Sequence, residues 1–411
     1  MTGFVQSIIT IVLFLAILGI LVVIHELGHF ITARLANVRV LEFGVGFPPR
    51  ARVLRSKGET LYTLNWLPIG GFVKLEGEDG DATDDPRSFA AQGLPTKLGI
   101  LVAGVGMNLI LAFAIFTAIA LGGDPTIGIR IGQVQPGSPA AAAGIGAGDV
   151  IESVDGGYFG AFDNESLLAA LQTHAGDTVE LGVKHPDGSF DRLTVTLRPA
   201  DQINANQGAL GIAKLSATTT PVAINYSPTE AVGIGAQRTG DALGLIVGGL
   251  GQLVDAVIHR PTEAPPAAGP VGIAIQFGDV FWQLGPIITL YVAGLLSANL
   301  AVVNVLPFPP LDGGRMLVIT LKAIFGKRIS VRAERLTYLV GFVFLFVFLI
   351  WITGFDIVRG LGGAVDAVSN HAGRLPPDGI AIERGLPRLE VADGMFDVDD
   401  GHGAGSVTSR Q

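Results

Sequence analysis

Four long apolar stretches constrain this chain more than any other feature of its sequence. They cover residues 4–24, 98–121, 284–306 and 336–353, and each is close to the roughly 20 residues that a helix needs to cross a bilayer. Only 15% of the residues are charged, whereas a typical soluble domain has about 25%. The sequence therefore predicts a polytopic α-helical membrane protein with four transmembrane helices, at 1–35, 98–121, 284–314 and 336–355.

Basic residues between these stretches predict the orientation. Residues 36–97 and 315–335 are rich in Lys and Arg, whereas the longer region 122–283 contains few. Short cytoplasmic loops of membrane proteins collect positive charge. We therefore expect the two basic loops on the cytoplasmic side of a bacterial cell membrane, and both termini and the middle region on the outer side.

The count of four depends on the interpretation of two segments. The first stretch lacks the basic n-region of a signal peptide, since no Lys or Arg precedes Arg34, so it is predicted to remain as a helix. Residues 242–258 are short, rich in Gly and interrupted by Gln252 and Asp255. This pattern favours an amphipathic helix on the membrane surface over a fifth span.

The inner end of the first stretch has the pattern H-E-x-x-H, at His25, Glu26 and His29. Positions i and i+4 of a helix lie on one face, so the two imidazoles can bind one metal ion. The pattern is typical of zinc hydrolases, in which the glutamate takes a proton from the attacking water and passes it to the leaving amine. Three ionisable groups at the edge of lipid are costly, which favours a functional role.

A catalytic zinc ion normally has three protein ligands, so a third is expected. One candidate is Glu42, which lies downstream on the same side. The other is Asp312 in the segment NVLPFPPLDGG, where prolines stop the third apolar helix and glycines permit a sharp turn. We favour Asp312, because four spans return it to the side of the histidines. The chain has no cysteine, so any zinc ligands must be nitrogen or oxygen atoms.

Taken together, HELGH, NVLPFPPLDGG and the Gly71–Lys74 motif GFVK resemble the site-2 protease family of intramembrane zinc metalloproteases, in particular its bacterial members with a single PDZ domain. The resemblance covers roughly residues 1–360. It implies one zinc ion bound by His25, His29 and Asp312, with Glu26 as the catalytic acid and base. It also implies hydrolysis of peptide bonds inside transmembrane segments.

The same resemblance implies a path for the substrate. It places Asn304 and Pro307 along that path, and Gly71, Phe72 and Val73 in a β-hairpin of loop 36–97 that dips towards the membrane. A substrate helix that unwinds in lipid needs new partners for its backbone, and an edge strand can supply them. A plain cytoplasmic hairpin is equally compatible with the sequence.

Residues 126–216 resemble a PDZ domain of α+β structure on the outer side. Within it, Leu210, Gly211 and Ile212 resemble the turn that binds a peptide carboxylate; a structural cap without a ligand is the alternative. We expect residues 217–283 to be a post-PDZ segment that includes the amphipathic helix, and 361–411 to be a disordered tail.

Together, these expectations predict a zinc endopeptidase that cuts single-span membrane proteins, such as trimmed anti-sigma factors, after an upstream site-1 protease has acted. A peptide ligand of the PDZ domain is possible, and the net charge of −9 argues against a nucleic-acid partner. A catalytically silent relative would be expected to lack Glu26 or a ligand. A metal transporter would need ligands along a path across the bilayer, whereas these cluster at one depth.

Overall fold

The computed structural model describes residues 2–56, 58–78, 85–162, 166–203, 208–326 and 331–371. The described residues up to Gly128 and from Ala217 onwards form one compact unit, the helical unit. Ile129–Ser216 form a second compact unit, the small unit. The last forty residues of the chain lie outside the described part, and so does most of the predicted tail.

The helices, in chain order, are α1 (Thr2–Leu35), α2 (Leu94–Gly122), α3 (Pro139–Ala142), α4 (Leu167–Thr173), α5 (Pro228–His259), α6 (Pro270–Leu284), α7 (Pro286–Val305), α8 (Asp312–Phe325) and α9 (Val331–His371). The strands are β1 (Val40–Arg55), β2 (Leu61–Leu75), β3 (Asp124–Arg130), β4 (Gln133–Val134), β5 (Val150–Val154), β6 (Gly157–Tyr158), β7 (Thr178–Lys184), β8 (Phe190–Thr196), β9 (Ile212–Ala213) and β10 (Ser216–Ile224). Proline occupies the first turn of α2, α5, α6 and α7, where its missing N–H costs nothing.

Long apolar helices dominate the helical unit, as expected of a polytopic membrane protein. In the described part of the chain, α1, α2, α5, α7 and α9 are long and apolar enough to cross a membrane. Four of them correspond to the four apolar stretches of the sequence, α7 to within two residues. The fifth, α5, contains residues 242–258, and the expectation that this segment is too short to span was wrong. The helix begins much earlier, at a capping box formed by Ser227 and Glu230.

The direction of α5 explains how a fifth long helix is compatible with the predicted arrangement. Gly235 of α5 packs against Thr117 of α2, and Ala242, further along, belongs to one buried cluster with Ala112 and Phe116, which come earlier in α2. The two helices are therefore antiparallel where they pack.

Helix α7 has the same direction. Gly294 packs against Phe116, and the Ser297 hydroxyl donates to the backbone carbonyl of Asn108 at 2.8 Å. Both α5 and α7 thus begin at the same end of α2, so the chain has returned to that end between them, through residues 260–285. Since α7 is also antiparallel to α2, it ends towards the start of α2, as expected if α7 is the third of four spans.

The predicted cytoplasmic hairpin is a small sheet, and the part that β1 takes in it was not anticipated. Residues 42–45 of β1 pair on one side with residues 71–74 and on the other with residues 61–64, both within β2. Residues 50–55 of β1 pair with the outer side of residues 62–65. The segment 71–75 therefore forms an edge of this sheet among the described residues, and we call it the edge strand.

Two other expectations about connections were wrong. The basic segment 315–335 was expected to be a loop, but most of it is helical in α8, which begins at Asp312. Helix α9 continues to His371, beyond the predicted end of the fourth span at residue 355 and into the segment that was predicted to be disordered.

The small unit is an α+β fold. Its sheet has the strand order β3-β5-β7-β8, with β6 beside β5, and a separate pair is formed by β4 and β9. The helices α3 and α4 are preceded by Ser138 and Ser166, whose side chains cap their N-termini. Its core consists mainly of branched aliphatic side chains such as Ile131, Ile151 and Leu181, all fully buried.

Candidate metal centre

Helix α1 places two histidines on its buried face, one turn apart. His25 and His29 are 5% and 7% exposed. The Nδ1 atom of His29 lies 2.8 Å from the carbonyl oxygen of Ile100. Because a carbonyl only accepts, Nδ1 must donate, and the Nε2 of a neutral His29 then has a lone pair. That Nε2 lies 3.1 Å from the Nε2 of His25.

Asp312 reaches the same point from a distant part of the sequence. Helix α7 ends at Val305, a tight turn follows, and α8 begins at Asp312 itself. The turn brings Gly313 against the carbonyl oxygens of Val305 and Leu306, where no side chain would fit. The Oδ2 atom of Asp312 lies 2.9 Å from the Nε2 of His25 and 3.3 Å from that of His29.

The three side chains fit a metal ion. One possible ligand atom from each of His25, His29 and Asp312 lies within 4.8 Å of the other two. Among the described residues, these three side chains form the group that could hold a metal ion. Two imidazole nitrogens and one carboxylate oxygen are the donors that catalytic zinc sites use, with a position left open. Without a cation, acceptor atoms would face one another in a buried place, which is unfavourable.

Helix α2 supplies a cradle for the imidazoles. A Cβ atom on Gly104 would lie 2.4 Å from His29 Nε2 and 2.9 Å from His25 Cε1. Only glycine lets the two rings lie this close to the helix backbone. Gly106, two residues later, has no neighbour within 4 Å of such a Cβ position, so the requirement is local.

Asn108 of α2 lies behind His25. Its Nδ2 is 3.4 Å from His25 Nδ1, and its Oδ1 is buried with no hydrogen-bond partner. If the amide is rotated by 180°, Oδ1 accepts a hydrogen bond from the Nδ1–H of His25. The buried oxygen then has a partner, and Nδ1 of His25 is a donor. His25 then has a lone pair on Nε2, which faces His29 and Asp312. Asn108 would thus fix the tautomer of His25, as hydrogen-bond partners of metal-ligating histidines do.

Glu26 lies beside this point and is held by the edge strand. The backbone N–H of Val73 donates to Glu26 Oε2 at 3.1 Å, and Gly71 packs near the Glu26 side chain. Since this N–H points away from β1, the open side of the edge strand faces Glu26. A cavity of about 240 Å³ lies here, and its lining includes Glu26, His29, Asp312, Gly71, Phe72 and Val73.

The alternative ligand Glu42 is engaged elsewhere. Although it is 7% exposed, it accepts hydrogen bonds from Arg50 and from Thr63, the latter at 2.8 Å. Burial raises the pKa of Glu42, but these hydrogen bonds outweigh burial and hold the pKa below its ordinary value. The carboxylate of Glu42 thus has its hydrogen-bond partners within the sheet, and it does not belong to the group formed by His25, His29 and Asp312.

The other predicted substrate residues lie at different places. Asn304 is half-buried in the last turn of α7, and Pro307 is exposed in the turn that follows. In the small unit, the carbonyls of Leu210 and Gly211 accept hydrogen bonds from backbone N–H groups, and Ile212 begins β9. Their roles in binding remain predictions.

Sequence reasoning missed two residues around the centre, Gly104 and Asn108. Asn108 had a signal, because it is the one strongly polar residue in the second apolar stretch. Gly104 had none, since glycines are frequent throughout this chain.

Comparisons with known proteins agree with this geometry. The model of peptidase family M50 matches residues 13–348. A protein of Clostridium perfringens named as a zinc metalloprotease is 33% identical over 338 residues, 82% of this chain and 95% of the relative. One of Clostridium acetobutylicum is 31% identical over 355 residues, 86% of this chain and 98% of the relative. Zinc metalloprotease RasP of Geobacillus kaustophilus is 25% identical over 439 residues, 86% of this chain and 99% of the relative.

Proposed function

Because the chain belongs to peptidase family M50 and is a zinc metalloprotease, we propose that it hydrolyses peptide bonds inside the transmembrane segments of single-span membrane proteins. The observation that supports this most strongly is the convergence of His25, His29 and Asp312 next to Glu26 within a unit of long apolar helices. A soluble substrate would not require a site built among such helices.

The proposed chemistry divides between the metal and Glu26. His25, His29 and Asp312 hold the zinc ion, and the chemistry that zinc supplies when bound is the activation of water and the polarisation of the peptide carbonyl. Glu26 takes a proton from the attacking water and delivers it to the leaving amine. The hydrogen bond from Val73 keeps the Glu26 carboxylate next to the metal ligands.

The edge strand is proposed to present the substrate. A transmembrane helix hides its peptide bonds in internal hydrogen bonds, so it must unwind before one can be cut. The open side of residues 71–75 faces Glu26. An unwound segment added to this edge has its backbone satisfied and lies beside the catalytic glutamate. Asn304 and Pro307 are proposed to line the same path.

The wider arrangement follows from the sequence. We propose four membrane spans, α1, α2, α7 and α9, in a bacterial cell membrane, with the metal centre near the cytoplasmic side and both termini outside. Helix α5 is proposed to pack on the bundle without adding to the count. The small unit is proposed to be an outer PDZ domain that excludes untrimmed proteins, with Leu210, Gly211 and Ile212 as its carboxylate-binding turn.

The proposed substrates are single-span proteins such as anti-sigma factors that an upstream site-1 protease has already shortened. Co-expression with a panel of truncated single-span proteins tests this. We expect a cytoplasmic fragment with the wild type and with the control Glu263→Gln, whose exposed carboxylate lies far along the chain from the motifs. We expect none with Glu26→Gln. A fragment that forms equally with Glu26→Gln would overturn the proposal.

A further inference from the structure

Glu78 connects the edge strand to helix α8. One oxygen of its carboxylate, Oε2, accepts a hydrogen bond from the backbone N–H of Leu75 at 3.1 Å, and the other, Oε1, accepts one from Nη1 of Arg315 at 2.5 Å. Leu75 is the last residue of the edge strand, and Arg315 belongs to α8. Both charged side chains are mostly buried, with 13% of Glu78 and 29% of Arg315 exposed. A single carboxylate therefore bridges two elements in a place largely shielded from water, where such contacts are stronger than at the surface.

One end of this bridge lies next to the contact between the edge strand and Glu26. In a β-strand, the backbone N–H groups of residues two apart point to the same side, so those of Val73 and Leu75 both point away from β1. The carboxylate of Glu26 accepts a hydrogen bond from the first at 3.1 Å, and that of Glu78 accepts one from the second. The open side of the edge strand thus contacts two carboxylates, one from α1 and one from the bridge.

The other end of the bridge lies close to a metal ligand. Arg315 follows Asp312 by three residues in α8, so the two share a face of the helix. The start of α8 is packed tightly on the preceding turn, because a Cβ atom on Gly313 would lie 2.1 Å from the carbonyl oxygen of Val305. Glu78 and Arg315 line the cavity of about 240 Å³ together with Asp312. The bridge therefore connects the edge strand to the helix that carries the third metal ligand.

We propose that Glu78 and Arg315 act as a positioning pair, which holds the edge strand at a fixed place relative to α8 and so determines which peptide bond of the substrate meets the metal ion. This inference rests on the proposed function and makes it more specific, because it names residues that select the scissile bond. A substrate segment paired with the edge strand moves with that strand. A shift of the strand therefore moves the substrate carbonyl away from the metal ion, or brings a neighbouring bond into its place.

The test uses the full-length protein in detergent and one single-span substrate that the wild type cleaves. In Glu78→Leu/Arg315→Met, apolar side chains replace the pair, a change that is often neutral for stability. We expect kcat to fall by about 10- to 100-fold, because a small misplacement of the substrate is costly. KM should change little, because residues 71–74 stay paired with β1. Mass spectrometry of the products should show cleavage at neighbouring bonds as well, where the wild type cuts at one.

Single variants separate positioning from a general loss of activity. Arg315→Lys retains a cation that can donate to Glu78, so it should recover part of kcat and cleavage at a single bond, whereas Arg315→Gln should recover neither. Arg315→Gln takes the place of the double variant if the latter does not fold. Arg192→Gln breaks an exposed ion pair with Glu180 in the small unit and should match the wild type. All variants should retain one zinc ion per chain, because they keep the three metal ligands.

The contrary results are distinguishable. Cleavage at the wild-type bond alone by the double variant, whether at the wild-type kcat or more slowly, would overturn the positioning role, because the pair then does not select the bond. Loss of zinc from the double variant would overturn it as well, because the pair would then act on Asp312 and not on the substrate. Both results leave the proposed function intact as long as cleavage by the wild type depends on Glu26. Cleavage by Glu26→Gln would remove that function, and this inference with it.

Discussion

Two carboxylates of the helical unit, Asp124 and Asp312, have surroundings that differ in a revealing way. Asp124, at the start of β3, is fully buried and is bound through both oxygens by Arg238 of α5, which is also buried. Asp312 is half-buried, with 14% of its side chain exposed, and one of its oxygens faces the Nε2 atoms of the buried His25 and His29.

The difference lies in the balance of donors and acceptors. At Asp124, guanidinium N–H groups meet carboxylate oxygens and the site is complete without any further group. At Asp312, the Nε2 of a neutral His29 is an acceptor, and it faces two other acceptors. A cation would complete this site. Burial of a charge therefore does not by itself indicate function, whereas acceptor atoms that converge on one point do.

Removing one partner of the complete pair should have the largest energetic effect. Asp124→Ala leaves a buried guanidinium without its bidentate partner, and we expect it to lower the free energy of unfolding by about 3–5 kcal/mol. Denaturant titration in detergent measures this. The double variant Asp124→Leu/Arg238→Met should recover most of the loss, because replacement of a buried pair by apolar side chains is often neutral. If Asp124→Ala has the same free energy of unfolding as the wild type, the pair of Asp124 and Arg238 does not stabilise the fold.

Crowding of the incomplete site should weaken metal binding without unfolding the protein. Gly104→Ala places a methyl group against the imidazole of His29, and we expect zinc affinity to fall by about 100-fold, as in other disturbed metal surroundings. Gly106→Ala, with open space at its Cβ, is the matched control in the same helix and should bind like the wild type. Competition with a chelator measures both. Equal affinities would place the metal away from Gly104.

The group behind His25 should have a smaller effect. Asn108→Ala removes the acceptor proposed for His25 Nδ1, and we expect about a tenfold loss of zinc affinity. Ser297→Ala removes a hydroxyl that donates only to the backbone carbonyl of Asn108, so it should change affinity little. If both variants bind zinc like the wild type, the side chain of Asn108 does not orient His25.

The sequence sufficed to predict the local parts of this account. The motif at His25–His29 specifies its own geometry because one helical turn separates the two histidines, and the apolar stretches identify long helices by composition alone. Asp312 was favoured on the expectation that four spans return it to the side of the histidines, and the structure does bring its carboxylate to them.

The remaining features depend on contacts that the sequence does not display. The inner position of residues 42–45 of β1 arises from pairing on two sides, and no local pattern indicates it. The length of helix α5 was underestimated because polar residues near its start, among them Arg238, lower the local hydropathy. The sequence does not show that Arg238 is paired with Asp124, 114 positions away. Packing of Gly104 against the imidazoles likewise exists only once α1 and α2 meet.

Zinc content is the most direct test of the central claim that acceptor convergence, rather than buried charge, makes the metal centre. Purified wild type, Glu26→Gln, Asp124→Ala and Asp312→Ala are compared by elemental analysis after removal of loosely bound metal. We predict one zinc ion per chain in the first three proteins and almost none in Asp312→Ala. Stoichiometric zinc in Asp312→Ala, or its loss in Asp124→Ala with the fold intact, would contradict the account.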